Sequence, residues 1–256
     1  YDLVIEEGEL LQGRLLGVRP GELEVYVVVP TDDDALLGFR TTWQLGPDGG
    51  YSGRLPAGSR AFGVVDGMPV RLDGKERELP GRVPQAVGRI RKSDGSVPSE
   101  IELTLTPDLD PTRTSPLASR RVPVDGQGRF LVRDLAAVPY RLLVRARGCA
   151  TAIRDDVTLG TAPVLIELAP GFDLEGVVVG AGEIPIEGAT LRAEGLPDPE
   201  HQWPIAKAGT DRKGRFELRG LGGAEAILHV TAPGFHPTTL EHVRPGAELR
   251  VYLQPR

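Results

Sequence analysis

The chain has 256 residues, 40% of them hydrophobic and 26% charged, with a net charge of −6. That balance excludes a nucleic-acid surface, which needs clustered cations to displace counterions. No apolar run approaches the roughly 20 residues that span a bilayer, and the single cysteine, Cys149, excludes an internal disulfide or a multi-thiolate metal site. Gly (33) and Pro (23) are enriched within an otherwise apolar-periodic chain, which predicts many turns between short strands.

The chain opens on Tyr1-Asp2-Leu3-Val4, without Met or a signal sequence, and reads as a fragment or a processed product. The first recognisable segment, Gln12-Gly13-Arg14-Leu15, reads as an opening strand. Asp32-Asp33-Asp34-Ala35-Leu36-Leu37 has room for one helical turn. Trp43 stands out of phase with Thr42 and Gln44, which places it toward a core. Asp48-Gly49-Gly50-Tyr51 reads as a turn before an aromatic strand, two residues shorter than its later counterparts. Arg60 to Gly67 forms the next strand, and Val70 to Glu76 reads as a hairpin through Asp73-Gly74. Pro80 to Pro84 is a short, stiff boundary.

A second opening, Val87-Gly88-Arg89-Ile90, follows, and its Arg89-Ile90-Arg91 alternation suits one face of a strand. Pro123-Val124-Asp125-Gly126-Gln127-Gly128-Arg129-Phe130 then meets its counterpart Thr210-Asp211-Arg212-Lys213-Gly214-Arg215-Phe216 at an offset of 86 residues (211 − 125). In both, Asp bonds its own backbone and Gly supplies positive φ, and the strand that leaves sends Phe130 with Val132, and Phe216 with Leu218, inward. Gly148 and Gly234 end the next strand of each copy at the same offset (234 − 148). The last strands alternate too: Val164, Ile166 and Leu168 on one face, then Leu249, Val251 and Leu253. Ala169-Pro170-Gly171 separates the copies. The expected architecture is therefore all-β: three tandem Ig-like antiparallel β-sandwich modules over 1–82, 83–169 and 170–256.

The opening Gly-x-Val, the central Thr-Asp-x-x-Gly-x-Phe-x-Leu-x-Gly-Leu and the closing Val-x-Ala-Pro-Gly-Phe resemble the carboxypeptidase regulatory-like family. The resemblance is best over 174–253, good over 87–168 and loose over 12–79. It implies a prealbumin-like sandwich and a non-catalytic structural or partner-binding appendage. On that resemblance the chain is expected to be a semi-rigid spacer or protein-binding rod of a bacterial envelope or surface protein, outside the cytoplasm. The partner would be protein or polysaccharide. Where copy three has Gly234-Phe235, copy two has Gly148-Cys149, a small thiol in place of an aromatic plug.

No histidine is followed by Glu three residues on, so the zinc pair of a carboxypeptidase is missing. There is no Gly-x-Ser-x-Gly elbow; Ser52 sits in the Gly50-Tyr51-Ser52-Gly53 segment. His236 and His242 share parity on one expected strand but lack a third ligand, and Cys149 reads as a buried small hydrophobe. No enzyme activity and no cofactor are expected. Asp32, Asp33 and Asp34 form the candidate calcium cluster, with Asp108 and Asp110 flanking Leu109, since hard cations take several converging oxygens; an ordinary solvated loop is the competing reading. Trp203, in the loop Leu196 to Pro204, is the candidate sugar-stacking platform of the alternative, carbohydrate-binding reading.

Overall fold

The computed structural model describes residues 8–30, 36–109, 119–195, 205–246 and 248–256. Among them the chain forms twenty-one strands and a single short 3₁₀ turn at Ala181–Glu183. The first seven are β1 (Glu9–Leu16), β2 (Gly21–Pro30), β3 (Leu36–Leu45), β4 (Gly50–Leu55), β5 (Arg60–Val65), β6 (Met68–Leu72) and β7 (Glu76–Glu78). The next seven are β8 (Arg82–Lys92), β9 (Glu102–Pro107), β10 (Arg120–Val122), β11 (Arg129–Ala136), β12 (Pro139–Arg145), β13 (Ala152–Thr158) and β14 (Val164–Leu168). The last seven are β15 (Gly171–Val179), β16 (Thr190–Gly195), β17 (Ala206–Gly209), β18 (Arg215–Gly222), β19 (Ala226–Thr231), β20 (Thr238–Val243) and β21 (Leu249–Tyr252).

Each set of seven builds the same two sheets. The four-stranded sheets run β3-β2-β5-β6, β10-β9-β12-β13 and β17-β16-β19-β20; the three-stranded sheets run β4-β1-β7, β11-β8-β14 and β18-β15-β21. Alternation dictates the packing: Leu174, Val178, Phe216 and Leu218 from one sheet meet Leu191, Ala193, Leu228 and Val230 from the other in one core. Leu15, Tyr51 and Leu55 meet Leu23, Val25 and Trp43 likewise in the first module, and Ile90, Phe130 and Val132 meet Leu103, Leu142 and Val144 in the second. All three are β-sandwiches of one topology.

Pairing departs from antiparallel at one place in each module. The last strand runs parallel to the first: β7 beside β1, β14 beside β8, β21 beside β15. The consequence is directional. The chain enters each module at one end of its three-stranded sheet and leaves at the other, so successive modules follow one another in series.

One steric device recurs three times. Gly13 faces Tyr51, Gly88 faces Phe130 and Gly176 faces Phe216 across the antiparallel pair. A Cβ on these glycines would lie 2.3, 2.2 and 2.8 Å from the facing ring; the ring lies over the bare backbone, and no other residue leaves it that space. The turn before the aromatic is equally constant. Gly49, Gly128 and Gly214 all have φ between 70 and 77°, and their carbonyls accept from Leu15, Ile90 and Val178 at 2.9, 2.7 and 2.8 Å.

Two sequence expectations change. The first-module turn is not shortened: the amide of Gly46 donates to the Gly50 carbonyl and its carbonyl accepts from Gly49, as Asp125 does with Arg129 and Gly128. Gly46 thus occupies the Asp position, and Asp48 stands level with Gln127. Nor does the chain form a hairpin at Asp73-Gly74. β6 pairs with β5, and the hairpin turns at Asp66-Gly67, whose two positive φ values (50 and 74°) match a type I′ turn. At Asp73-Gly74 the chain instead crosses to the other sheet to lay β7 along β1.

Candidate functional site

The residues with catalytic potential are dispersed or structurally committed. Cys149 is buried, its thiol pushed up by that burial. Ser52 lies exposed on β4. His236 precedes β20 and His242 sits within it at φ 54°, in a bulge that shifts register between Ala226 and Leu228. The bulge breaks the alternation on which a shared face depended, and the His242 Nδ1 instead faces Glu225 Oε2 at 2.6 Å, beside Arg244. Among the described residues no three His, Cys, Asp or Glu side chains converge as a metal site. Asp32, Asp33, Asp34, Asp110 and Trp203 lie outside the described residues. Trp43 is in the core, stacked on Tyr51 with centroids 6.1 Å apart.

Phe130 and Phe216 are 4% and 5% exposed, with Val132 and Leu218 at 1% each. Asp125 Oδ1 accepts from the amides of Gln127 and Arg129, and Asp211 Oδ1 from those of Lys213 and Arg215, all at 2.8 Å. These bonds, the one from Arg129 or Arg215 first, hold both carboxyls below the usual range. The carboxylates close turns.

The modules meet through packed side chains at one junction and backbone hydrogen bonds at the other. Between the first and second, Met68 joins the second module's core, Leu79 packs against both cores, and Leu109 packs on the Val28–Phe62 pair. Between the second and third, Ala169-Pro170-Gly171 is bonded along its length: the Ala150 amide donates to Ala169 at 2.9 Å, that of Gly171 to Gly148 at 3.1 Å, and Cys149 bridges Pro170. The Thr151 amide donates to the Gly220 carbonyl at 2.8 Å, and a Cβ on Gly220, at φ 70°, would lie 2.2 Å from Thr151 Oγ1. The Gly220 amide in turn donates to Asp173 Oδ1 at 2.7 Å. Around this contact Glu100, Glu102, Arg147, Glu217 and Arg219 line a polar cleft of about 550 Å³. Arg219 is held by Glu217 at 2.5 Å and feels Asp173 of its own module and Glu102 across the junction. The proline count pointed to stiff boundaries; the backbone clamp at Thr151–Gly220 carried no local motif.

Residues 173–254 match the carboxypeptidase regulatory-like domain family. The third module is therefore the part of the chain with a sequence-level relative, and its Asp211 turn and Phe216 lie within the match. No curated protein matches the chain in sequence. Solved structures similar to it include a streptococcal ancillary pilin (11% identity, 98% of this chain and 99% of that one, TM-score 0.30). They also include the Bacillus anthracis TIE protein (13%, 97% and 50%, TM-score 0.29) and the major pilin subunit of Bacillus cereus (8%, 98% and 100%, TM-score 0.26). At such TM-scores the likeness does not bear on function. No helix among the described residues is long and apolar enough to cross a membrane.

Proposed function

We propose that the chain is a non-catalytic, semi-rigid spacer, three sandwich modules (1–82, 83–169, 170–256) in series within a bacterial envelope or surface protein, presenting faces to protein partners. The observation that carries this reading is the junction between the second and third modules. Its linker is pinned by two backbone hydrogen bonds to the Gly148–Ala150 turn of the second module, and Thr151, buried, donates its amide to Gly220 of the third. Entry and exit at opposite ends of each module favour extension over compaction. The carboxypeptidase regulatory-like match of the third module agrees with a non-catalytic role, as that resemblance implies.

Spin labels on Lys207 and Arg121, read by pulsed dipolar spectroscopy, test the rod. A narrow distance distribution that broadens in Gly220→Val supports it, because the new side chain must displace Thr151. A broad distribution in the wild type would show modules on a loose tether. Hydrolysis of a peptidase or esterase substrate, abolished by a point mutation, would overturn the non-catalytic part.

A further inference from the structure

The three modules share a scaffold, so their outer faces can be compared position by position. On the three-stranded sheet of the second module, Leu131 stands opposite Val87, and Leu165 stands beside Arg89. These apolar side chains are 43%, 41% and 53% exposed. The matching positions are Ser52, Gln12 and Glu76 in the first module and Glu217, Glu175 and Arg250 in the third. At these three positions the first and third modules carry polar side chains, as solvent-facing sheets do, and the second carries hydrophobic ones; the exposed Leu10 and Leu16 of the first module and Tyr252 of the third stand at other positions of their sheets.

The second module's charges are unusual as well. In the first module Arg14 is answered by Asp48 at 2.8 Å and Glu76 at 3.9 Å. Its counterpart Arg89 has Gln127 and Leu165 in those two places, and faces Arg129 directly across the strand pair. Like charges directly opposite cost stability. Among the described residues no carboxylate stands within ion-pair reach of either guanidinium. Asp125, whose charge both feel, is committed through Oδ1 to the turn amides. Pro123 and Val124 on one side and Pro163 on the other wall this strip into a groove of about 780 Å³.

We propose that this groove binds an extended acidic peptide segment, its apolar side chains covering Val87, Leu131 and Leu165 and a carboxylate held between Arg89 and Arg129. The inference rests on the protein-binding part of the proposed function and names its site and partner chemistry. A three-stranded floor is roughly 10 Å wide, suited to one extended chain. Three exposed apolar side chains fall far short of the roughly 800 Å² per partner of a stable protein pair, which argues against a second copy. An acidic polysaccharide would answer the arginines and leave the apolar floor uncovered.

The probe is a labelled heptapeptide with the sequence of residues 1–7, Tyr-Asp-Leu-Val-Ile-Glu-Glu, which joins three aliphatic residues to three acids. Its binding to the full chain is followed by fluorescence anisotropy beside two controls, the Asn/Gln version and polygalacturonate as competitor. Saturable binding is expected, weakened at least about tenfold by neutralising the peptide or by Arg89→Gln, as when a charge-assisted pair is lost. Leu131→Ser should weaken it similarly, while neither exposed-site variant should melt below the wild type, Arg89→Gln also relieving the like-charge opposition. Added salt should weaken it further. Absence of saturable binding, equal binding of the neutral peptide, indifference to Leu131→Ser, or full competition by polygalacturonate would each overturn the proposal. The spin-label distances use no peptide, so a failed groove and a failed rod are separate results.

Discussion

The first and third modules are the same sandwich filled differently. Both place a bare glycine under an aromatic ring and a positive-φ glycine at the turn before it. The third uses Phe216 and closes the turn with Asp211; the first uses Tyr51 and has Gly46 in the Asp position. The backbone geometry is what the fold requires, and the turn carboxylate is replaceable. The ring is required as a volume, whatever its polar end. This ranks the two modules' residues by consequence.

The largest effect should come from removing the ring. Phe→Ala in a packed core costs roughly 3–5 kcal/mol, a large share of the roughly 5–15 kcal/mol that stabilises a domain. Among the described residues the third module's core draws on no residue of the first. Phe216→Ala should therefore unfold the third module and leave the first folded. In a Trp203→Phe background Trp43 fluorescence reports the first module alone, and hydrogen exchange reports the third. Loss of both signals in one transition would show that the modules stand or fall together.

A smaller effect of opposite sign is expected at Tyr51. Its hydroxyl is buried with no formed hydrogen bond, although the Gly74 amide, Asp73 and Arg77 lie near enough to act on its charge. Burial accordingly pushes its phenol up. An unpaired buried hydroxyl costs about 1–3 kcal/mol, and the other two modules put phenylalanine in its place. Tyr51→Phe should raise the first module's melting temperature, and a lowered one would mean that the hydroxyl has a partner in solution.

Much of this was legible in the sequence. The repeated Asp-x-x-Gly-x-Phe segment fixed strand, turn and inward parity together, and Phe130, Phe216 and Trp43 are buried as that alternation required. Local chemistry failed where the partner was distant. Asp66-Gly67 and Asp73-Gly74 look alike as dipeptides, and only the parallel pairing of β7 with β1 makes the second a crossover. The Thr151–Gly220 clamp was hidden for the same reason: Gly220 reads as one more repeat position until the next module is laid against it. The apolar groove needed register as well, since Leu131, Val87 and Leu165 come from three separate strands.

The smallest effect separates the turn's charge from its shape. The Asp211 carboxyl is held below its ordinary value, first by the Arg215 amide and further by that of Lys213. A depressed carboxyl contributes stability that is fully present above its unfolded value, near 3.9, and is lost as pH falls through the lower folded value. The third module should thus lose stability on the acid side of about pH 4, partly through this group. Asn at 211 keeps an Oδ1 acceptor for both amides but carries no charge. Asp211→Asn should leave the turn intact and flatten the acid limb of a melting-temperature profile between about pH 2 and 6. Asp211→Ala should flatten it too and also lower the plateau above it, because the two amides lose their acceptor. An Asn variant whose acid limb is as steep as the wild type's would show that Asp211 contributes nothing by its charge, and that the turn rests on Gly214 and the Phe216 ring, as the first module's rests on Gly49 and Tyr51.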